Sequence, residues 1–158
     1  MKERSQRDQH GPDVVALPPL IYAAPLAAGL VLDRLAPLPR WPAGLRVVGL
    51  PVLAAGVALG ATFARAMMRA RTPIDVRHAP TALVQDGPFA RTRNPGYLGL
   101  ALVYTGIALL AGGRWSLLFL PGVLFAVDRG VIQREEDYLE RHFGADYDEY
   151  RRRVRRWV

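Results

Sequence analysis

The sequence predicts an all-α integral membrane protein with about four transmembrane helices, followed by cytosolic amphipathic helices near its C-terminal end. Three observations predict this class: long apolar segments without charge, an uneven distribution of Lys and Arg, and helical spacing of aromatic residues after the last apolar segment. The 158 residues are 51% hydrophobic, yet the net charge is +7. The class therefore depends on how apolar and charged residues are arranged, and the length fits one domain.

Three segments without charge are long enough to cross a bilayer as helices. They are residues 14–32, with 19 residues, residues 47–64, with 18, and residues 95–113, with 19. An apolar run of about 18 or more residues is typical of a spanning helix. Gly56 and Gly60 in the second segment form a pair of small residues that would allow close helix packing. The alternative is that they reflect only the frequency of glycine in membrane helices.

A fourth apolar segment, residues 115–127, has only 13 residues. As a helix it rises about 20 Å, which is less than the roughly 30 Å of hydrocarbon in a bilayer. We expect this helix to continue through residues 130–132. Asp128 and Arg129 would then lie in the inner leaflet or face a polar cavity, where charged residues are functional candidates. A mutual ion pair or snorkelling is the alternative.

The distribution of basic residues predicts the orientation. Four spans would place residues 1–13, the connection 70–94 and the C-terminal tail on one side, which holds 17 of the 21 Lys and Arg residues. The positive-inside bias puts that side in the cytoplasm, so we expect a bacterial-type inner (plasma) membrane protein with both termini inside. Residues 1–13 are predicted to be a mobile arm, and residues 14–158 a single domain. The positive charge is thus topological and does not predict nucleic-acid binding.

Some kinds of site are excluded by residue types. The chain has no cysteine, which excludes disulfides, thiolate metal sites and a cysteine nucleophile. His10, His78 and His142 do not have the spacing of metal ligands, so no metal site is predicted. Neither a glycine-rich dinucleotide motif nor a phosphate-binding loop occurs.

The connection 70–94 is the longest one, and long ordered loops are often functional. It leads into the third span, where Asn94 is expected to cap the helix and Pro95 to occupy its first position. Unpaired N–H groups at a helix start suit a carboxylate or phosphate. An ordinary surface turn followed by a capped span remains the alternative.

The C-terminal region keeps helical spacing while becoming charged. Gly144 is expected to end one helix. The spacings of 3, 4 and 3 predict a second, amphipathic helix with a basic outer face, and the residues that show them are Tyr147, Tyr150, Val154 and Trp157. The adjacent Glu135 and Glu136 form a solvated helix face or, beside a cavity, hold a ligand ammonium group.

Two motifs carry a resemblance to a known family. The first comprises Leu83-Val84-x-x-Gly87-Pro88-Phe89 and Arg93-Asn94-Pro95-x-Tyr97-x-Gly99, and the second comprises Glu135-Glu136-x-x-Leu139-x-x-x-Phe143-Gly144-x-x-Tyr147-x-x-Tyr150. Their order and the hydrophobic hairpin between them resemble the isoprenylcysteine carboxyl methyltransferase and phospholipid methyltransferase superfamily, in the form of a bacterial member. The match covers about residues 72–157.

This resemblance implies a membrane methyltransferase that binds S-adenosylmethionine in a cytosolic pocket capped by C-terminal helices. By position, the adenosyl region would be lined by Leu83, Val84, Gly87 and Phe89. The start of the third span would supply the rest of the cofactor site, namely Arg93, Asn94, Pro95, Tyr97 and Gly99. Glu135 or Glu136 would take the methionine ammonium group. Apart from the resemblance, Arg129 or Arg93 is a candidate to orient an acceptor carboxylate or phosphate.

The identity of the acceptor stays open. Many relatives have His where this chain has Asn94, which keeps a hydrogen bond but is a poor general base. This difference counts against a prenylcysteine substrate specifically. The expected acceptor is a lipophilic or small molecule, and the candidates are a prenylated cysteine or other lipophilic carboxylate, a phospholipid amine and a small thiol. Two other functions remain alternatives: an NADPH-dependent membrane reductase and a non-enzymatic accessory protein. The oligomeric state is not predicted.

Overall fold

The computed structural model describes residues 16–39, 42 and 44–158. The predicted mobile arm, residues 1–13, lies outside the described residues. In the described part the chain is helical and contains no strand. Its helices are α1 (Pro18–Leu35), α2 (Gly44–Arg69), a 3₁₀ turn (Gly87–Ala90), α3 (Pro95–Ala111), α4 (Arg114–Val127), a π-helical turn (Asp128–Ile132), α5 (Gln133–Phe143) and α6 (Ala145–Arg153).

Two helical stretches are long and apolar enough to cross a membrane, as judged by length and composition. These are Gly44–Arg69 and the continuous helix Arg114–Phe143, which combines α4, the π turn and α5. The α3 helix is apolar but shorter. The prediction that the fourth helix continues past its apolar part is confirmed. A π turn accommodates an extra residue within a helix and is frequent at functional sites.

Glycines set the distance between α2 and α3, which pack along each other. A Cβ atom at Gly106 would lie 2.6 Å from the backbone nitrogen of Leu53, and one at Gly56 would lie 2.7 Å from that of Val103. A Cβ at Gly60 would meet nothing within 4 Å. Gly56 therefore serves the close helix packing that the sequence suggested, whereas Gly60 faces open space.

The core between α1, α3 and α4 is organised by buried tyrosines. Tyr22 donates a hydrogen bond to the carbonyl of Tyr97 at 3.1 Å, and Tyr104 donates one to the carbonyl of Ser116 at 2.6 Å. Buried tyrosines need such partners because an unpaired hydroxyl in an apolar core costs free energy. These bonds fix α3 between α1 and α4, so the start of α3 has a defined position.

Two predicted helix features differ from the structure. Asn94 lies at the start of α3 but makes no side-chain capping bond; its amide instead binds the C-terminal tail, as described below. The second amphipathic helix ends at Arg153 and does not reach Trp157, because the tail beyond it pairs with the backbone around residue 93. Gly144 has a φ of +53° at the end of α5, as expected for its terminating position.

Candidate functional site

A cavity of about 650 Å³ lies where the two sequence motifs meet. Its walls come from the start of α1, the second half of α2, the connection 73–84, the first half of α3, and α5 with α6. This volume falls within the range of roughly 300–1,000 Å³ that is usual for small-molecule sites. The motif residues that line it are Leu83, Val84, Phe89, Arg93, Asn94, Pro95, Tyr97, Gly99, Glu135, Glu136, Leu139, Tyr147 and Tyr150.

A partly buried ionic cluster lies at one wall of this cavity. The Nη2 atom of Arg93 is 3.2 Å from Glu136 Oε1, and their side chains are only 10% and 9% exposed. Arg156 donates two bonds to the same carboxylate, from Nε at 3.2 Å and from Nη2 at 2.5 Å. It also lies 3.4 Å from Asp128. The hydrogen bonds with Glu136 raise the pKa of Arg156, so this guanidinium stays charged.

Arg93 keeps unused hydrogen-bonding capacity. Among the described residues, its Nε and Nη1 atoms are buried and have no hydrogen-bond partner. A buried, unpaired donor costs about 1–3 kcal/mol, and native proteins rarely leave one without a reason. Because Arg93 lines the cavity, a ligand oxygen could satisfy one of these groups.

Glu135 differs from Glu136 in its hydrogen-bond and ion-pair partners. Its Oε2 atom accepts a hydrogen bond from the Tyr97 hydroxyl at 2.7 Å, and it lines the same cavity. No arginine lies within ion-pair distance of Glu135 in the described structure, whereas Glu136 contacts two. Glu135 is thus the carboxylate of the pair that remains available to a cation.

The chain beyond α6 is bound to the start of α3. The backbone N–H of Arg93 donates to the carbonyl of Arg155 at 2.9 Å. The carbonyl of Arg156 accepts two bonds, from the Thr92 hydroxyl at 3.1 Å and from the Asn94 amide at 3.0 Å. Asn94 therefore holds the tail in place, and both of these side chains are buried.

Two tyrosines of α6 close another side of the cavity. Tyr150 donates a hydrogen bond to the carbonyl of Phe89 at 2.8 Å, which fixes the 3₁₀ turn against α6. Burial raises the pKa of both Tyr147 and Tyr150. Both therefore stay neutral at physiological pH and act as uncharged wall residues.

The remaining lining is mostly apolar and comes from α1, α2 and α3. It includes Leu17, Val57, Phe63, Met67, Leu100 and Val103. The rings of Phe63 and Phe89 are 5.8 Å apart. The cavity thus has a charged wall at α5 and the tail, and an apolar wall along α2 and α3.

The connection over the cavity carries an exposed ion pair. Arg77 donates to Asp75 from its backbone nitrogen and from its guanidinium, with distances of 2.6–3.1 Å. These hydrogen bonds hold the pKa of Asp75 below its ordinary value. His78 Nδ1 lies 3.6 Å from Asp75, and both residues line the cavity.

Two residues proposed from the sequence are not part of this group. Arg129 is exposed, and its guanidinium carbon lies 5.6 Å from the centre of the Phe125 ring, away from the cavity lining. Gly87 has a φ of +61°, which shapes the turn before Phe89, but it does not line the cavity. The sequence reasoning overlooked Arg156, because nothing in a run of five tail arginines distinguishes one of them.

Fold and site together define a helical, membrane-type protein in which two distant motifs build a cavity. Residues 45–146 match the family model described as phospholipid methyltransferase. The match covers well over half of the chain, so the chain belongs to the phospholipid methyltransferase family. The sequence-based prediction of this superfamily is thereby confirmed.

Two curated relatives show partial similarity. The chain is 36% identical over 78 residues to the "Protein-S-isoprenylcysteine O-methyltransferase" of Schizosaccharomyces pombe, an alignment that covers 49% of this chain and 33% of that protein. It is 39% identical over 62 residues to an "Uncharacterized protein" of Haemophilus influenzae, covering 39% of this chain and 98% of that protein. The chain thus spans only about a third of the length of the yeast relative.

Proposed function

We propose that this protein transfers a methyl group from S-adenosylmethionine to a lipophilic or small acceptor at the membrane surface. The observation that carries the proposal is a cavity that Arg93 of the first motif and Glu135 of the second line together. The family membership supports methyl transfer. S-adenosylmethionine as the methyl donor and a lipophilic or small molecule as the acceptor are both proposed.

The cavity fits the amino-acid half of this cofactor. An α-amino acid group presents an ammonium and a carboxylate side by side. Glu135, which has no arginine partner in the described structure, would accept the ammonium. One of the two N–H groups of Arg93 that have no partner among the described residues would bind the carboxylate through a charge-assisted bond. Leu83, Val84 and Phe89 offer apolar surface for the adenosyl part.

The contribution of this chain to the reaction is positioning. S-adenosylmethionine supplies a methyl group bound to a positively charged sulfur, and its transfer needs alignment with the acceptor more than acid–base groups. The apolar wall formed by α2 and α3 would exclude water and hold an apolar acceptor beside the donor. Asn94 has no titratable proton and here binds the tail, so it is not assigned as a base.

The apolar wall also favours acceptors that enter from a bilayer. The named activity of the yeast relative suggests a carboxylate acceptor in the manner of the isoprenylcysteine carboxyl methyltransferases. The family description suggests a phospholipid amine. We include both in the proposal, because the lining selects for an apolar molecule without selecting its reacting group.

The proposed arrangement in the membrane has four spans, α1 to α4, with both chain ends in the cytoplasm. Two stretches meet the length and apolarity of spanning helices by themselves. The helices α1 and α3 pack against them and carry exposed or half-buried apolar side chains. The distribution of Lys and Arg along the sequence gives the orientation.

Binding of S-adenosylmethionine to detergent-purified protein tests the proposal. Saturable binding by calorimetry is expected for the wild-type chain. Glu135→Gln should weaken it about tenfold, because one charge-assisted contact is lost. The matched control is Glu140→Gln on the same helix, whose carboxylate pairs with Arg151 at 43% exposure of both side chains and should leave binding unchanged.

Transfer of a labelled methyl group to total membrane lipids, alkyl thiols and lipophilic carboxylates would then identify the acceptor. Absence of S-adenosylmethionine binding in folded wild-type protein contradicts the proposal. Tight NADPH binding in its place would indicate a membrane reductase, and binding of neither would indicate a non-enzymatic role.

A further inference from the structure

Arg156 lies outside both motifs, in the extended segment after α6, yet it reaches the charged wall of the cavity. Its guanidinium donates two bonds to Glu136 and approaches Asp128 at 3.4 Å. Its side chain is one-third exposed, whereas that of Glu136 is only 9% exposed. Arg156 itself does not line the cavity, so any effect on a ligand passes through another residue.

Arg156 is the second cation paired with Glu136, and it limits the hydrogen bonds that Arg93 can make to the same carboxylate. Arg93 uses only Nη2 toward this carboxylate, at 3.2 Å, and its Nε and Nη1 find no partner within the described part of the chain. Arginine and a carboxylate prefer a two-bond arrangement when no competitor is present. Arg156 occupies Glu136 with its own two bonds, and thereby keeps Arg93 from turning its remaining donors toward Glu136.

The backbone of Arg156 is fixed independently of its side chain. Thr92 and Asn94 both donate to its carbonyl, and the neighbouring Trp157 packs against the hydrophobic core. A guanidinium on such an anchored backbone loses less conformational freedom when it pairs. Asn94 directly follows Arg93 in the chain. Its amide therefore links the tail to the residue that keeps unpaired donors.

We propose that Arg156 is a positioning residue for the cofactor site: it pairs with Glu136 so that Arg93 keeps unpaired donors, one of which binds the carboxylate of the bound amino-acid group. This inference rests on the proposed function. It assigns to the tail a role in selecting a ligand with an amino-acid moiety, in addition to covering the site. Loss of Arg156 should therefore weaken only those ligands that carry the carboxylate.

Two probes separate that effect from a general loss of structure. S-adenosylhomocysteine carries the amino-acid group, and 5′-methylthioadenosine lacks it while keeping the adenosine and sulfur. In full-length, detergent-purified protein, Arg156→Gln should weaken the first about tenfold and change the second less than about twofold. Arg156→Lys should fall between wild type and Arg156→Gln, because lysine keeps the charge but lacks the two-bond geometry.

The matched control is Arg152→Gln, which removes the same charge from an exposed position of α6 and should change neither affinity. Equal weakening of both probes by Arg156→Gln would overturn the inference, since it would indicate a purely structural role. Unchanged affinity for both would overturn it too. If Arg156→Gln does not fold, the same comparison is made with Arg156→Lys. Failure of wild-type protein to bind S-adenosylhomocysteine would instead refute the proposed function.

Discussion

Two buried arginine–carboxylate pairs lie at opposite ends of α3 and differ in how completely they are satisfied. At the hairpin end, between α3 and α4, Arg114 pairs with Asp33 at 3.3 Å, with side chains 13% and 11% exposed. Arg114 also donates to the Leu38 carbonyl, and Asp33 accepts from the backbone nitrogen of Trp115. At the cavity end, Arg93 pairs with Glu136 at a similar distance and burial.

The difference between the two pairs lies in the donors that remain. Buried Arg93 atoms lack partners in the described part of the chain, whereas none of the atoms found unpaired there belongs to Arg114 or Asp33. A buried ion pair with all its partners inside the protein joins elements. A buried ion pair that keeps unpaired donors beside a cavity can use those donors to bind a ligand. The hairpin pair thus holds α1 to α4, whereas the cavity pair leaves donors for the proposed ligand.

Replacing each arginine by glutamine gives the largest expected effect. Arg114→Gln leaves Asp33 buried with little compensation and should cost about 3–5 kcal/mol of unfolding free energy. Arg93→Gln should cost only about 1–2 kcal/mol of unfolding free energy. Glu136 remains paired with Arg156 in this variant, and the two unsatisfied donors of Arg93 are removed. Unfolding in detergent, followed by circular dichroism, measures both.

The two variants should affect ligand affinity in the opposite order, with the larger effect from Arg93→Gln. Arg93→Gln is expected to weaken S-adenosylhomocysteine by at least about tenfold, while Arg114→Gln leaves it unchanged under conditions where the protein stays folded. Equal stability losses together with equal affinities would show that the two pairs do not differ in role.

The interface between α2 and α3 offers a second comparison, between a glycine in close contact and a glycine beside open space. Gly106 lies where α2 and α3 touch, and an added Cβ would be 2.6 Å from Leu53, so Gly106→Ala should cost about 1–3 kcal/mol through overpacking. Gly60→Ala faces open space in the cavity wall and should stabilise α2 by about 0.5–1 kcal/mol. The same unfolding measurement checks both, and a stabilising Gly106→Ala would contradict this packing.

The smallest effect is expected at the exposed pair of Asp75 and Arg77. Arg77 lowers the pKa of Asp75, so the folded pKa lies below the unfolded one. The stabilisation is therefore present above the unfolded pKa of about 4 and is lost as the pH falls below it. Amide exchange protection in residues 73–84 should decrease on acidification, with little change in α3.

Asp75→Asn provides the control for that measurement. At neutral pH this variant should show the reduced protection that the wild-type chain reaches only in acid, and it should lack the further pH dependence. Protection that falls equally in both proteins would place the titration on another group.

The sequence predicted the helical class well because charge-free segments and their lengths are local properties. The continuation of the fourth helix followed from a length argument, and the π turn at Asp128–Ile132 was not readable from residue types. The extent of the last helix was predicted incorrectly. Its spacing of aromatic residues fits a helix through Trp157, but hydrogen bonds from Thr92, Arg93 and Asn94 to the tail carbonyls hold residues 155 and 156 outside helical geometry.

By itself, the sequence determined the family, the apolar segments, and the motif residues from which the cavity is built. It also placed Glu135 and Glu136 side by side as equivalent candidates. Only the tertiary structure distinguished them. Within the described residues, it brings two arginines, 43 residues earlier and 20 residues later in the chain, onto Glu136 and none onto Glu135. Helical spacing specifies which face a residue occupies, whereas the packing of distant segments decides which charges remain free for a ligand.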